Sequence, residues 1–261
     1  SQRAFTHPQK YITMLSNFGA HQSTGKLTDP TAILERQIQR FTDEFPQKTS
    51  SCSFEQQALP ESLEEAVRQI ESYAHLSRSY YASSLKADQQ LDPDWEPVIA
   101  ALVKSPYGGN FDQSEKLTVE RFFSVSSEIE LGSLLCASVI WGQLVRQKWI
   151  ERLQQLMAQH PLSDAPIILR KMTPMGEIIL AGSAPTNIRS SHLLMAVDLG
   201  GNDHYSVDSL PQFPGTPQLI LNFSGDDIYE TSQPGGFASG AGRPAFLIDL
   251  KGDDQYNTKS Q

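Results

Sequence analysis

A chain of 261 residues with a net charge of −9 and a pI near 5.1 has room for one or two domains. It is too acidic to neutralise a phosphate backbone, which excludes nucleic acid as a partner. Its 39% hydrophobic and 20% charged residues are ordinary for a globular protein, and it has no run of eighteen apolar residues, so no transmembrane segment is expected.

The sequence opens Ser1-Gln2-Arg3 without a Met. This predicts removal of an upstream segment, either a signal peptide or an artificial boundary. Residues 1–28 are polar and lack periodicity, so they read as an extended arm. Thr28-Asp29-Pro30 predicts a helix start, with a capping side chain followed by Pro at an early helical position. Ile33, Leu34, Ile38, Phe41 and Phe45 form its apolar face, and Pro46 ends it. Residues 47–58 read as a loop.

Pro60-Glu61-Ser62-Leu63 opens a second helix with acids where the helix dipole favours them. Leu63, Ala66, Val67, Ile70, Tyr73, Ala74, Ser77, Tyr80 and Tyr81 keep helical spacing. A short helix is expected over 98–103, stopped by Ser105-Pro106-Tyr107-Gly108-Gly109. The longest helical region spans about 117–159, broken near Gly132 or Gly142, with Ile140, Leu144, Trp149, Ile150, Leu153 and Leu156 on its core face. Cys136 sits in the apolar stretch Leu134-Leu135-Cys136-Ala137, where a buried free thiol is expected, with a disulfide to Cys52 as the alternative. Tyr80, Tyr81, Trp141 and Trp149 read as helix-packing residues.

After Pro161 the texture changes to Gly, Pro, Asp and β-branched residues, with 161–166 as the hinge. From Met172 onward ten acidic residues face four basic ones, so this third of the chain carries −6 of the total −9. Three segments here align. They are Met195 to Tyr205 (MAVDLGGNDHY), Ile220 to Tyr229 (ILNFSGDDIY) and Leu247 to Tyr256 (LIDLKGDDQY). Each has an apolar run, Asp or Asn, an apolar residue, then Gly, Asp or Asn, Asp, any residue and Tyr. The shared Asp recurs at 203, 227 and 254, giving periods of 24 and 27. A weaker forerunner runs from Ile178 to Gly182 and on to Asn187-Ile188.

A fixed period in the twenties is the mark of a solenoid, in which one unit cannot bury its face alone. Glycine and Asn permit the positive φ of the reversal, Asp can accept backbone N–H groups within the turn, and Tyr can stack on its counterpart one unit on, hydroxyl at the rim. The expected fold is α+β: an N-terminal helical domain over 29–160, then a short β-solenoid, or stacked β-coil, over 166–261.

These repeats, the lead-in Pro174-Met175-Gly176-Glu177-Ile178-Ile179-Leu180 and the glycine-rich stretch Gly235 to Gly242 resemble those of uncharacterised, mostly bacterial secreted proteins with tandem Asp-Leu-Gly-Gly-Asp-Asp-x-Tyr units. The resemblance covers about 165–261 and implies a helical region ahead of the repeats, secretion and further units. It implies no activity.

The acidic turns have two readings. Clustered carboxylates and carbonyls with glycine suit Ca²⁺, with Asp198, Asp203, Asp226, Asp227, Asp249, Asp253 and Asp254 as candidate ligands. Alternatively each Asp caps its own turn. Calcium-binding nonapeptide repeats recur every nine residues, whereas the spacing here is near 25, so adjacent turns need not share an ion. Among catalytic candidates, Ala20 to Leu27 lacks the first Gly and the Ser/Thr of a phosphate loop, and no Cys-x-x-Cys, His-Glu-x-x-His or Gly-x-Ser-x-Gly occurs. His204 fills the variable slot of its repeat, as Ile228 and Gln255 do in theirs, and reads as a surface residue. No catalytic residue is assigned.

The functional expectation is a binding or structural protein, secreted, periplasmic or at the cell surface. Its acidic stack would meet another chain, or a continuation of the same polypeptide, at the C-terminal unit. A glycan is a further conceivable ligand. The alternative is a polysaccharide-acting enzyme on a β-helical scaffold, which needs acids converging with Arg189 or Arg243.

Overall fold

In a computed structural model of the chain, residues 52, 57–84, 130–207, 215–231, 237 and 243–258 are described. The expected arm over 1–28, the helices at 29–46 and 98–103, most of the 47–58 loop and the first part of the 117–159 helix lie outside the described residues.

Helix α1 covers Leu63–Ser84. Its start follows from side chains that satisfy free N–H groups: Ser62 Oγ accepts from Glu65 N–H at 3.2 Å, and the Glu65 carboxylate accepts from Glu61 N–H at 2.7 Å. The apolar stripe anticipated from spacing is the buried one, running through Ala66, Val67, Ile70, Tyr73, Ala74, Ser77 and Tyr81. Helix α2 covers Leu131–Trp141, capped by the Glu130 carboxylate on Gly132 and Ser133 N–H. A 3₁₀ turn at Gly142–Val145 separates it from α3, Gln147–Ala158. The helical region therefore breaks at Gly142, one of the two glycines expected to break it.

Cys136 on α2 is disulfide-bonded to Cys52, 84 positions earlier in the sequence, with Cα atoms 5.3 Å apart. This corrects the expected free thiol. Burial of Cys136, on which that expectation rested, suits a disulfide equally well once residue 52 is brought to α2.

Nine strands follow: β1 Ile167–Thr173, β2 Gly176–Ala181, β3 Asn187–Ser190, β4 Leu193–Asp198, β5 His204–Val207, β6 Gln218–Asn222, β7 Ile228–Thr231, β8 Ala245–Asp249 and β9 Gln255–Thr258. They form a five-stranded sheet, β1-β2-β4-β6-β8, and a four-stranded sheet, β3-β5-β7-β9. β1 and β2 are an antiparallel hairpin, and every other pairing is parallel.

The expected β-solenoid is overturned by this arrangement. The strands are sorted into one mixed and one parallel sheet, lying as layers rather than as stacked coils. The helices do not stand ahead of the sheets as an independent body. One core joins Ile70, Trp141, Leu144, Leu153 and Met157 of the helices to Ile178, Leu180, Val197, Leu219 and Leu221 of the larger sheet. The opposite face of that sheet (Ile179, Ala181, Ala196, Ile220) packs on Ile188, Tyr205, Val207 and Tyr229 of the smaller one. The physical reason for the difference is that β2, β4 and β6 are buried on both faces. Periodicity registers such burial but not what covers each face, which here is helix on one side and sheet on the other.

One tryptophan bonds the helices to the larger sheet and a second bonds α3 to α1. Trp141 Nε1 donates to Gln218 O at 3.0 Å, and Trp149 Nε1 donates to Gln69 Oε1 at 2.9 Å.

Candidate functional site

The acids lie where the chain crosses from the larger sheet to the smaller. Each crossing begins at the last residue of a large-sheet strand, and those residues are in register: Asp198 pairs with Asn222, and Asn222 with Asp249. It ends on the strand carrying the tyrosine, and these too are in register, Tyr205 with Tyr229 and Tyr229 with Tyr256. The rings stack, with centroids 4.6 Å apart for Tyr205 and Tyr229 and 4.8 Å for Tyr229 and Tyr256. Tyr205 and Tyr229 are buried, whereas Tyr256 is 55% exposed.

Contrary to expectation, the hydroxyls of Tyr205 and Tyr229 do not sit at the rim. Tyr205 Oη donates to Asp198 Oδ2 at 3.2 Å and accepts from Asn222 Nδ2 at 3.1 Å, and Tyr229 Oη donates to Asp249 Oδ2 at 2.7 Å. A hydroxyl withdrawn from water needs such a partner.

The turn acids bond from unit to unit in two opposed series. In the first, each carboxylate reaches back: Asp203 accepts from Thr186 N–H, Asp227 from Asp203 N–H at 2.6 Å, and Asp254 from Asp227 N–H at 3.0 Å. In the second, each side chain reaches forward: Asn202 Oδ1 accepts from Asp226 N–H at 3.1 Å, and Asp226 Oδ1 from Asp253 N–H at 3.0 Å. Glycine precedes these acids because the units approach closely. Gly225 has φ +144°, and a Cβ on it would collide with the carbonyl oxygen of Gly201; Gly252, at φ +149°, stands in the same relation to Gly225.

The seven candidate ligands therefore separate into three groups. Asp226 and Asp253 belong to the forward series at the exposed rim. Asp198 and Asp203 form a buried pair. Asp227, Asp249 and Asp254 offer oxygens within 4.8 Å of one another, a spacing that can hold a cation. Burial raises the carboxyl of Asp198 to about 8, and the Asp203 charge pushes the same way. Burial also raises Asp203 itself, brings Asp227 to about 7, and brings Asp249 to about 6 with help from Asp254.

Asn222 shows what this position has to supply. Its amide Nδ2 donates to Asp227 Oδ2, while its Oδ1 accepts from Ser224 N–H at 2.7 Å. Asp198 Oδ1 accepts from Gly200 N–H at 2.8 Å in the same manner, but its second oxygen has no N–H to offer Asp203, whose Oδ2 is buried without a donor. Burial favours a proton on this pair, and a proton between Asp198 and Asp203 would supply what the amide supplies in the next unit. Asn202 and Asn222 were absent from the candidate set, although Asn222 aligns with Asp198 and Asp249 in the repeats, and that alignment was the available signal.

The remaining candidates lie elsewhere. His204 Nε2 is 3.1 Å from Glu230 Oε2 across β5 and β7, half-buried rather than free on the surface. Arg189, on β3, donates from Nε to Asn187 Oδ1 at 3.2 Å. Arg243 is buried and donates to Gln218 Oε1 at 3.3 Å, and burial lowers its pKa to about 10. Among the described residues no helix is long and apolar enough to cross a membrane.

No protein-family model, curated protein or solved structure matches the chain.

Proposed function

We propose that the chain is a binding or structural protein of the cell envelope or extracellular space, whose paired sheets form a surface for assembly. The supporting observation is the use made of the turn acids. Asp203, Asp227 and Asp254 each accept a backbone N–H from the preceding unit, so they join unit to unit. The Cys52–Cys136 disulfide fits an oxidising compartment, whether secreted, periplasmic or at the cell surface. The repeat pattern fits kinship with the secreted repeat proteins it resembles.

The structural role is tested by thermal unfolding of Asp227→Ala. Loss of the acceptor for Asp203 N–H and of the partner of Asn222 leaves two buried donors unmatched, at about 1–3 kcal/mol each. An unaltered melt would remove the basis of the proposal. The compartment is tested on protein from its native source, by alkylating thiols before denaturation and again after reduction. Both cysteines should resist the first treatment, and modification in the native state would place the protein in a reducing compartment.

A second reading concerns Ca²⁺ and rests on the approach of Asp227, Asp249 and Asp254. Hard cations take six to eight oxygens, so the three carboxylates would be joined by carbonyls or water. Added Ca²⁺ should raise the melting temperature and chelator should lower it; indifference to both excludes a stabilising ion.

A further inference from the structure

We propose that the outer edges of β8 and β9, with the exposed face of Tyr256, form a docking surface for a partner polypeptide carrying one more strand–Gly-(Asp/Asn)-Asp-x-Tyr–strand unit. This rests on the assembly role proposed above and names the chemistry of the partner.

Burial falls off at one end of the two sheets. All residues of β6 are buried, yet those of β8 are only half-buried. Tyr205 and Tyr229 are 0% and 1% exposed, against 55% for Tyr256. β8 and β9 are the last members of their sheets, and among the described residues no strand pairs with their outer edges. An apolar edge of this kind is a template for strand addition.

The unit-to-unit bonding specifies what is added. The forward series runs from Asn202 to Asp226 to Asp253, so at this end the Asp253 carboxylate is placed to accept an N–H from the next turn. The backward series runs from Asp254 to Asp227 to Asp203, so Asp254 N–H is placed to meet the next turn's carboxylate. A parallel unit with acids at both positions fits both groups, and an aromatic residue two places after the second acid reaches Tyr256. The glycine is specified as well. The Gly225 carbonyl lies where a Cβ on Gly252 would sit, so by the same spacing the Gly252 carbonyl meets the next unit's glycine.

The opposite end does not offer a second copy of this chain the complementary surface. There the larger sheet finishes in β1, antiparallel to β2. Gly182 N–H is bonded to Pro166 O and Ser183 N–H to Ser163 O, so the 163–166 segment covers the turn that follows β2. Head-to-tail joining of identical chains would set a covered end against an open one.

The experiment titrates the intact protein with a synthetic peptide of residues 218–231, which contains one complete unit. Calorimetry should show one peptide per chain, and hydrogen exchange should show new protection across 245–249 and 255–258. Peptides carrying Gly225→Ala, Asp227→Ala or Tyr229→Ala should each bind at least tenfold more weakly. On the protein side, Tyr256→Lys removes one exposed ring stacked on Tyr229; it should weaken binding at least tenfold while lowering the melting temperature by only about 1–6 °C. Absence of both heat and protection, or equal binding by the Gly225→Ala peptide, would overturn the proposal. So would sedimentation showing dimers of the protein alone with these strands already protected, which would make a second copy the occupant. The Asp227→Ala melt of the protein does not involve the peptide, so failure of docking is separable from failure of the structural reading.

Discussion

Tyr229 offers the most direct measure of what the tyrosine series contributes, because its ring and its hydroxyl can be removed separately. The ring lies between Tyr205 and Tyr256, and the hydroxyl donates to Asp249 Oδ2 at 2.7 Å. Tyr229→Phe keeps both stacks and deletes the donor. A hydrogen bond to a charged acceptor is worth about 1.5–3 kcal/mol, but Asp249 is half-buried and water can replace part of it. The expected cost is about 1–2 kcal/mol. Tyr229→Leu deletes in addition three aromatic contacts, with Tyr205, Tyr256 and Phe237, each worth about 0.5–1.5 kcal/mol, and leaves a cavity between those rings. Its cost should reach about 3–5 kcal/mol. At about 2–4 °C per kcal/mol for a chain of this size, the melt should drop by roughly 3–6 °C for Phe and roughly 10 °C or more for Leu. Scanning calorimetry of the two variants beside the parent distinguishes the terms. If Leu costs no more than Phe, the stacks contribute nothing, and the stability of this region lies in the sheets alone.

Gly225→Ala places a Cβ against the Gly201 carbonyl at a φ of +144°, and should cost about 3 kcal/mol or more, read as a large fall in melting temperature or loss of soluble protein; a melt close to the parent would show that the turns can separate at little cost. Reduction of Cys52–Cys136 frees an 84-residue separation, for which loop-closure entropy gives about 4.6 kcal/mol, so dithiothreitol or Cys136→Ser should lower the melt substantially. Asp198 keeps its proton in the folded protein up to about pH 8, while in the unfolded chain it ionises near the usual value of about 4. The stability it confers is therefore full below about pH 4 and is lost as pH rises towards 8. Melts recorded across this range should fall with pH, and Asp198→Asn should flatten the fall and raise the melting temperature at pH 7 to 8; an unchanged slope would mean that no proton is shared with Asp203.

Legibility followed the range of the interactions. The buried stripe of α1 and the break at Gly142 were readable because helical spacing and glycine act within a few residues. The alignment of Tyr205, Tyr229 and Tyr256 was readable because the spacings of 24 and 27 repeat a local pattern. The layering was not. That Ile178 and Leu180 meet helices while Ile179 meets the smaller sheet depends on contacts far along the chain, to which alternation within a buried strand is blind. The disulfide escaped for the same reason, since nothing around Cys52 announces its approach to α2. The candidate site was half legible: acidic turns were identified, but a search for carboxylates passed over Asn222, and a tyrosine drawn with its hydroxyl in water concealed the bonds to Asp198 and Asp249.

Asn222 also limits how the acids can be interpreted. Asp198, Asn222 and Asp249 hold one structural position, and in each unit the neighbour to be satisfied is the turn carboxylate, of Asp203, Asp227 or Asp254. In the middle unit an amide N–H does this, and no ion is required to close that unit. The position therefore demands a donor or its equivalent, for which a proton serves between Asp198 and Asp203. Among the described residues the spacing also admits a cation where Asp249 and Asp254 face Asp227, and a cation there would compete with a proton for one place. Asp249→Asn tests the competition. The amide would imitate Asn222, meeting Asp254 with an N–H, and the Tyr229 hydroxyl would turn from donor to acceptor, as Tyr205 Oη accepts from Asn222 Nδ2. Stability at neutral pH should be kept or improved, any response to Ca²⁺ should vanish, and the loss of stability that this unit contributes as pH rises from about 4 to about 6 should vanish with it. A variant that unfolds, or that still responds to Ca²⁺, would show that the last unit does not follow the chemistry of the middle one.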